Sequence, residues 1–228
     1  MPATIQATAT ATANDATSLS VNVPSGTTDG DLLVAIVGVY SGRAITPPSG
    51  WTERETEDEE QGITGGVWTR VASSEPASYS WSTDANRDWM GCILRIDGDN
   101  GYDVSGHDHI GADNTPGCPS ITPSNADSLA IYATYSRGEN TSMTHPSGTT
   151  EEIDHTFNGG NDMVQGVAYE THGASATGVN DWSGASDVYN SWTVSIAVAP
   201  AAGSALTRIA NETVTLITDA QRNMAKGS

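Results

Sequence analysis

The sequence predicts an all-β protein, specifically a jelly-roll-like β-sandwich with two pseudo-repeated halves and extended N- and C-terminal arms. Helical periodicity is nearly absent from the chain. Short runs of alternating apolar and polar residues are separated by turn clusters, which the 24 glycines and 10 prolines help to form. The 228 residues fit one large sandwich better than two independent globules.

Seven stretches carry the clearest strand patterns. Between them lie turn-forming clusters such as 47–50 (PPSG) and 97–101 (DGDNG). In chain order, the predicted strands are 18–23, 31–39, 66–72, 88–96, 128–135, 163–171 and 191–198.

A faint internal duplication relates the two halves of the chain. The matching segments are 31–36 with 127–132, 48–53 with 146–151, 66–70 with 166–170, and 89–93 with 192–196. The offset between partners grows from 96 residues (31 to 127) to 103 residues (89 to 192), and the order never breaks. About four strands per half gives the eight strands of a jelly roll built from two Greek keys.

Two terminal segments lie outside the duplicated region. We divide the chain into an N-terminal arm or edge strand (1–17), a sandwich (18–200, with halves at about 18–104 and 119–200) and a C-terminal arm (201–228). A lone hairpin-like arm is not stable in water, so we expect partner chains to hold both arms. The predicted assembly contacts of the C-terminal arm are Leu206, Ile209, Val214, Leu216 and Ile217.

The charge of the chain argues against one class of partner. It has 28 acidic and 9 basic residues, a net charge of −19, and Lys226 is its one lysine. Such a chain repels phosphate backbones, so we expect no nucleic-acid binding. A carboxylate excess with almost no lysine is typical of halophilic proteins, in which salt screens self-repulsion. An ordinary acidic surface selected for solubility is the alternative.

Neither membrane insertion nor a disulfide framework is expected. No apolar run approaches the roughly 20 residues that a membrane span needs, and no signal-peptide pattern follows Met1. We interpret Cys92 and Cys118 as buried free thiols, because two cysteines do not make a disulfide framework or a metal cluster.

Three groups of side chains are candidates for cation or acid–base chemistry. The acidic run 53–60 could supply paired carboxylates for glycoside hydrolysis, but we expect a solvated loop. Asp97, Asp99 and Asp103 alternate as calcium ligands do, yet the stretch lacks the remaining ligands of an EF-hand, and an Asx-rich turn is the alternative. His107 and His109 share one face of an extended segment without a third ligand nearby. No cofactor is therefore expected, apart from a structural cation for which Asp97, Asp99 and Asp103 are weak candidates.

Nucleophilic catalysis has little support in the sequence. The chain has no Gly-x-Ser-x-Gly elbow, no P-loop and no dinucleotide fingerprint. We therefore expect a protein that is not an enzyme.

The six tryptophans bear on sugar binding. Trp89 and Trp192 occupy matching positions in the two halves, which favours core packing. Trp182 lies in a polar stretch (NDWSG), where we expect it to be exposed and a weak candidate for carbohydrate binding.

Three ordered stretches resemble a known module. The segments 30–36 (GDLLVAI), 47–52 (PPSGWT) and 67–72 (VWTRVA) resemble a β-sandwich module of tailed-virus (phage or haloarchaeal virus) structural proteins, also found in some bacterial secreted proteins. The resemblance spans roughly 18–200, and 206–214 resembles C-terminal segments of phage head and tail proteins. In the second half Thr149 stands where the first half has Trp51, so the role of that tryptophan is not duplicated.

The resemblance implies a structural component on the exterior surface of a virion and supplies no catalytic residues. The expected type is a capsid decoration, turret or tail-associated protein that forms a homo-oligomer and contacts the major capsid or tail protein. The alternative is a carbohydrate-binding or host-attachment module that contacts host glycans. A hydrolase on the same fold is a third possibility, and it would need a cleft with two converging carboxylates.

Overall fold

Two five-stranded antiparallel sheets stack into a sandwich, which confirms the predicted all-β class. The structure is a computed structural model that describes residues 2–40, 42–57, 62–138, 142–159, 162–184 and 188–201. Residues 202–228 lie outside this part, and with them the predicted assembly contacts Leu206, Ile209, Val214, Leu216 and Ile217. The described residues include no helix with the length and apolar character that a membrane span requires.

The first sheet contains the five N-terminal strands. These are β1 (Thr4–Asn22), β2 (Leu32–Tyr40), β3 (Thr52–Glu57), β4 (Ile63–Val71) and β5 (Ser78–Asp97). They are ordered β1-β5-β2-β4-β3, so β1 and β3 form the two edges of the sheet.

The second sheet is built from the rest of the chain. Its strands are β6 (Asp99–Ile110), β8 (Ser128–Gly138), β10 (Thr150–Phe157), β11 (Met163–His172) and β14 (Val188–Pro200), ordered β10-β11-β8-β14-β6. Four short strands make two small pairs beside it: β7 (Gly117–Cys118) with β12 (Asn180–Asp181), and β9 (Met143–Thr144) with β13 (Ser183–Gly184).

The strand orders of the two sheets are the same, so the two pseudo-repeated halves are present in the fold. Read from the β6 edge, the second order β6-β14-β8-β11-β10 matches β1-β5-β2-β4-β3 strand for strand. Even an irregularity recurs, because β3 shifts register between Glu53 and Glu55 and β10 shifts between Glu151 and Ile153. Jelly-roll connectivity is not confirmed, since each sheet takes its strands from one half of the chain alone.

The N-terminal segment is an edge strand of the first sheet. β1 pairs antiparallel with β5 from Thr4 opposite Asp97 to Asn22 opposite Ser78 and continues across the expected boundary at 17/18. A strand of the same chain therefore holds this segment, where we had expected a partner chain. The duplication also begins earlier than the sequence indicates, because β6 occupies in the second sheet the place that β1 has in the first.

The interior between the sheets is apolar with a small polar centre. β2, β4 and β5 face β8, β11 and β14 across it, and most of their inward side chains are fully buried. At its centre the Tyr135 hydroxyl donates to the Ile36 carbonyl (2.6 Å), and the Gln165 amide donates to the Tyr135 hydroxyl (2.5 Å) and the Cys92 sulfur (3.2 Å). These bonds satisfy the Tyr135 hydroxyl and the Gln165 amide nitrogen, whereas the buried Gln165 carbonyl oxygen has no hydrogen-bond partner among the described residues.

Both sheets are also covered on their outer faces. A second apolar cluster, which includes Leu19, Trp51 and Trp81, covers the first sheet, and a third, which includes Tyr132 and Trp182, covers the second. Burial on both faces explains why β2 and β8 read as nearly continuous apolar runs.

Two glycines let aromatic rings from the second sheet reach the backbone of the first. A Cβ atom on Gly38 would lie 2.7 Å from the Tyr135 ring, and one on Gly65 would lie 2.1 Å from the Trp192 ring. Both distances are shorter than a carbon–carbon contact permits, so each glycine is required by packing.

We predict that Gly65→Ala destabilises the protein by about 3 kcal/mol, because the added methyl group would displace the Trp192 ring from a filled core. Gly111→Ala is the matched control, since a Cβ atom there meets no atom within 4 Å and should change stability by less than about 0.5 kcal/mol. Urea unfolding followed by tryptophan fluorescence measures both. Equal effects of the two substitutions would contradict the packing role of Gly65.

Candidate functional site

The densest group of ionisable side chains joins the two sheets along one open side. We call it the polar seam, and its members are Arg54, Glu55, Glu57, Tyr102, Ser105 and His107. It forms where the edge strand β3 of the first sheet approaches the edge strand β6 of the second. Alternation points Glu55 and Glu57 to one side of β3, and Ser105 and His107 to one side of β6. Register shifts beside Arg54 and Tyr102 bring these two side chains to the same group.

Glu55 is the centre of the polar seam. One of its carboxylate oxygens accepts from the Ser105 hydroxyl (2.5 Å), and the other lies 2.6 Å from His107 Nδ1. The second ring nitrogen of His107 lies 3.7 Å from a carboxylate oxygen of Glu57. His107 Nδ1 is therefore held by Glu55, whereas the separation between Nε2 and Glu57 is longer than a hydrogen bond.

Aromatic contacts fix the ends of the polar seam. The His107 ring stacks on Trp192, with ring centres 6.2 Å apart and planes 28° apart. The Arg54 guanidinium lies 4.1 Å from the centre of the Tyr102 ring, and the Tyr102 and Ser105 hydroxyls are 2.7 Å apart. The Arg54–Tyr102 contact joins the first sheet to the second, as the Glu55 bonds do, which indicates a structural cross-brace between the sheets.

The opposite open side, between β1 and β10, carries different chemistry. Glu152 lies at the register shift of β10, which is the position that Arg54 has at the register shift of β3. The Glu152 side chain bonds to Thr8 on β1. Burial raises the pKa of Glu152 above its usual value, and the Thr8 hydrogen bond offsets part of that rise. The two open sides of the sandwich therefore differ: an ionic network joins β3 to β6, and the bond between Glu152 and Thr8 joins β10 to β1.

A chain of hydrogen bonds on the second sheet has the order of a catalytic triad. Glu170 accepts from the Tyr132 hydroxyl (2.7 Å) and lies 3.2 Å from His172 Nδ1, and His172 Nε2 lies 3.5 Å from the Ser175 hydroxyl. The Ser175 contact is at the outer limit of a hydrogen bond, and the Ser175 amide is already bonded to the Gly173 carbonyl. That amide therefore offers no hydrogen for an oxyanion hole, which acyl transfer requires.

The three candidate calcium ligands do not converge. Asp97 accepts from the Gly98 amide (2.6 Å), Asp99 from the Gly101 amide (2.7 Å) and Asp103 from the Ser124 amide (2.7 Å). Within the described ranges no three His, Cys, Asp or Glu side chains are grouped as a cation would need. Burial, with a smaller contribution from the neighbouring Asp97 and Asp31, raises the pKa of Asp99. Asp97 and Asp99 lie at the turn between β5 and β6, and the bond from Gly101 to Asp99 has the spacing of an Asx-turn.

Trp182 is fully buried, so the expectation that it is exposed was wrong. Its ring lies over the second sheet, where a Cβ atom on Gly166 would be 2.5 Å from it. The polar neighbours of Trp182 in sequence gave no sign that the short strands on either side fold it inward.

The remaining candidates have structural positions. Glu53–Glu57, expected in a solvated loop, belong to β3, while 58–60 lie outside the described residues. Cys92 and Cys118 are free and buried as expected, and burial raises the pKa of each thiol to about 12. A cavity of about 220 Å³ is lined by Ala44, Ile45, Glu53, Thr56, Thr64 and Gly65, and Glu53 is the one carboxylate among them.

No protein-family model matches the chain, and neither the curated proteins nor the solved structures contain a significant match to it.

We predict that Glu55→Ala destabilises the protein by about 1–3 kcal/mol, because it leaves Ser105 and His107 without their shared acceptor. Glu53→Ala removes the same charge from an exposed position whose bond is to Thr56 of the same strand, and it should cost less than about 0.5 kcal/mol. Chemical denaturation at neutral pH compares the two variants. A cost for Glu55→Ala no larger than that of the control would argue against the bracing role.

We predict that Glu152→Gln stabilises the protein at pH 7 and that the gain disappears on acidification. Because the pKa of Glu152 is raised in the folded state, folding favours its protonated form, and that stabilisation is lost as pH rises through the folded pKa. The neutral amide avoids the burial cost at pH 7 but gains nothing below the ordinary pKa of 4.5. Unfolding curves at pH 7 and near pH 4 test this, with the exposed Glu151→Gln as the charge-matched control. A gain that does not depend on pH would refute the burial argument.

Proposed function

We propose that the protein is a structural component of the exterior of a tailed-virus particle, such as a capsid decoration, turret or tail-associated subunit. In this role it assembles with copies of itself and contacts the major capsid or tail protein. The proposal assigns it no catalytic activity.

The observation that carries the proposal is that most of the apolar residues of the resembling module serve packing. Leu32–Tyr40 is buried along almost its whole length as a central strand. Trp51, at the end of the PPSGW turn, makes edge contacts with Tyr79 (5.2 Å) and Trp81 (5.3 Å). Trp68 is fully buried in the same cluster. A sequence whose most distinctive residues serve packing fits a scaffold protein.

The polar chemistry of the molecule supports the same conclusion. The one imidazole of the polar seam bonds to the Glu55 carboxylate, and the 220 Å³ cavity offers a single carboxylate, short of the pair that glycoside hydrolysis needs. A net charge of −19 suits a protein that lies outside the shell and away from the packaged nucleic acid.

The carbohydrate-binding alternative has lost its one candidate residue. Trp182 is buried, and among the aromatic side chains whose burial the structure describes, a set that leaves out Tyr189, none is exposed. Sugar sites are built on exposed aromatic faces, so we prefer the scaffold role.

The test is electron microscopy of particles produced with and without this protein. Antibodies against the purified protein should label the surface of intact particles, and particles lacking the protein should lose a defined layer of exterior density. Unlabelled particles whose reconstruction is unchanged by the deletion would refute the virion role. Particles that disappear altogether would indicate a role in shell formation, which also contradicts an exterior decoration.

A further inference from the structure

The four edges of the two sheets differ sharply in charge. β3, β6 and β10 each carry at least four ionisable side chains. These are Glu53, Arg54, Glu55 and Glu57 on β3; Asp99, Asp103, His107, Asp108 and His109 on β6; and Glu151, Glu152, Asp154 and His155 on β10. β1 has no ionisable side chain from Thr4 to Asn14, and its first charge is Asp15.

An uncharged edge strand is unusual in a protein that does not use it for association. Native sheets protect their edges with charged residues, proline or pronounced bulges, because an open strand edge is a template for another strand. From Thr4 to Ala13, β1 has neither charge nor proline, and its pairing with β5 is interrupted only between Ile5 and Ala7. Among the described strands β1 pairs with β5 alone, so no described strand pairs with its second edge.

The side chains of β1 suit a flat strand pair. Threonine and alanine alternate from Ala7 to Ala13, and Thr10 and Thr12 are exposed. Threonine favours extended backbone, and a threonine opposite a threonine contributes favourably across a strand pair. Alanine adds little bulk on the other face, so a second strand can approach closely.

We propose that β1 pairs antiparallel with β1 of a second copy of this chain, joining two first sheets into one ten-stranded sheet across a twofold axis. The axis stands perpendicular to the sheet, so the threonine row of one copy continues beside that of its partner and alanine lies beside alanine. The inference rests on the assembly role proposed above and identifies the edge that performs it.

Charge favours a second copy over a different partner. Two chains of net charge −19 repel each other, so they can associate only where the contact itself is free of carboxylates. The residues of β1 before Asp15 carry no carboxylate themselves, unlike the other three edges. The Glu152 carboxyl bonds to Thr8 within the same chain and is partly buried, so the contact centres on the exposed Thr10 and Thr12. A basic partner would instead be attracted to the acidic edges β3 and β10.

The first test compares two doubly substituted full-length chains by sedimentation equilibrium in 1 M salt, which shortens the screening length to about 3 Å. Thr10→Lys/Thr12→Lys places like charges at the centre of the proposed contact, and we expect dimerisation to weaken by more than about tenfold. The control is Thr52→Lys/Thr150→Lys, which changes two exposed threonines on the edges of β3 and β10 and should leave the dimer intact. Both variants reduce the net negative charge equally, and circular dichroism and urea midpoints verify that both fold.

The second test is a cysteine scan from Thr8 to Thr12, one substitution per chain. A twofold axis places one β1 residue directly opposite its own copy, with Cα atoms 4.5–5.5 Å apart, which is within disulfide range. Cross-linking under mild oxidation should therefore peak at a single position and fall on both sides. The native Cys92 and Cys118 are buried and should not compete.

The outcomes separate this inference from the assembly role. A dimer that survives the β1 lysines and yields no cross-link at any scanned position would overturn the β1 pairing while leaving self-assembly in place. A chain that stays monomeric at all concentrations in 1 M salt would overturn both. Surface labelling of particles, tested separately above, decides the virion role whatever the result here.

Discussion

The close approach of the two sheets is the constraint on which the rest of the structure depends. Tyr135 and Trp192 project from the second sheet onto the backbone of the first at Gly38 and Gly65, where any side chain would collide with a ring. The Tyr135 hydroxyl also bonds to the Ile36 carbonyl on β2, so the contact specifies position as well as distance. Alignment of the sheets along this contact in turn brings β3 beside β6, which the polar seam requires.

The two halves share a backbone plan and differ in how their edges are closed. Strand order and the irregular positions of β3 and β10 are repeated, which indicates that the plan tolerates very different side chains. Arg54 and Glu152 hold equivalent places, yet the first lies over the Tyr102 ring and the second is a half-buried carboxyl bonded to Thr8. A duplicated sandwich with identical edges could pair in several registers, whereas unlike edges leave fewer options for association.

Sequence patterns predicted the central strands and allowed for an edge strand at the N-terminus, but they missed the edge strands β3, β6 and β10, for a physical reason. β2 and β8 are buried on both faces, so their apolar runs stand out. β3, β6 and β10 carry glutamates, aspartates and histidines because one side of an edge strand meets solvent, and these residues resemble loops when the neighbouring strand is unknown. The expectation that Trp182 is exposed was wrong for a similar reason, because its burial comes from loops that fold over the second sheet. The bond between Glu55 and His107 joins residues 52 positions apart, a pairing that local patterns do not contain.

Charge and edge chemistry together determine where such a protein can associate. A chain with 28 acidic and 9 basic residues repels copies of itself over most orientations, and salt reduces that repulsion without creating an attraction. Attraction must come from short-range contacts, and main-chain hydrogen bonds along a strand edge are the strongest that a surface with few exposed apolar side chains can offer. The described surface has two exposed large apolar residues, Val71 and Val179, too few for a hydrophobic interface. An uncharged edge strand on an acidic sandwich therefore meets both requirements at once: its own side chains add no repulsion, and its second edge pairs with no other described strand.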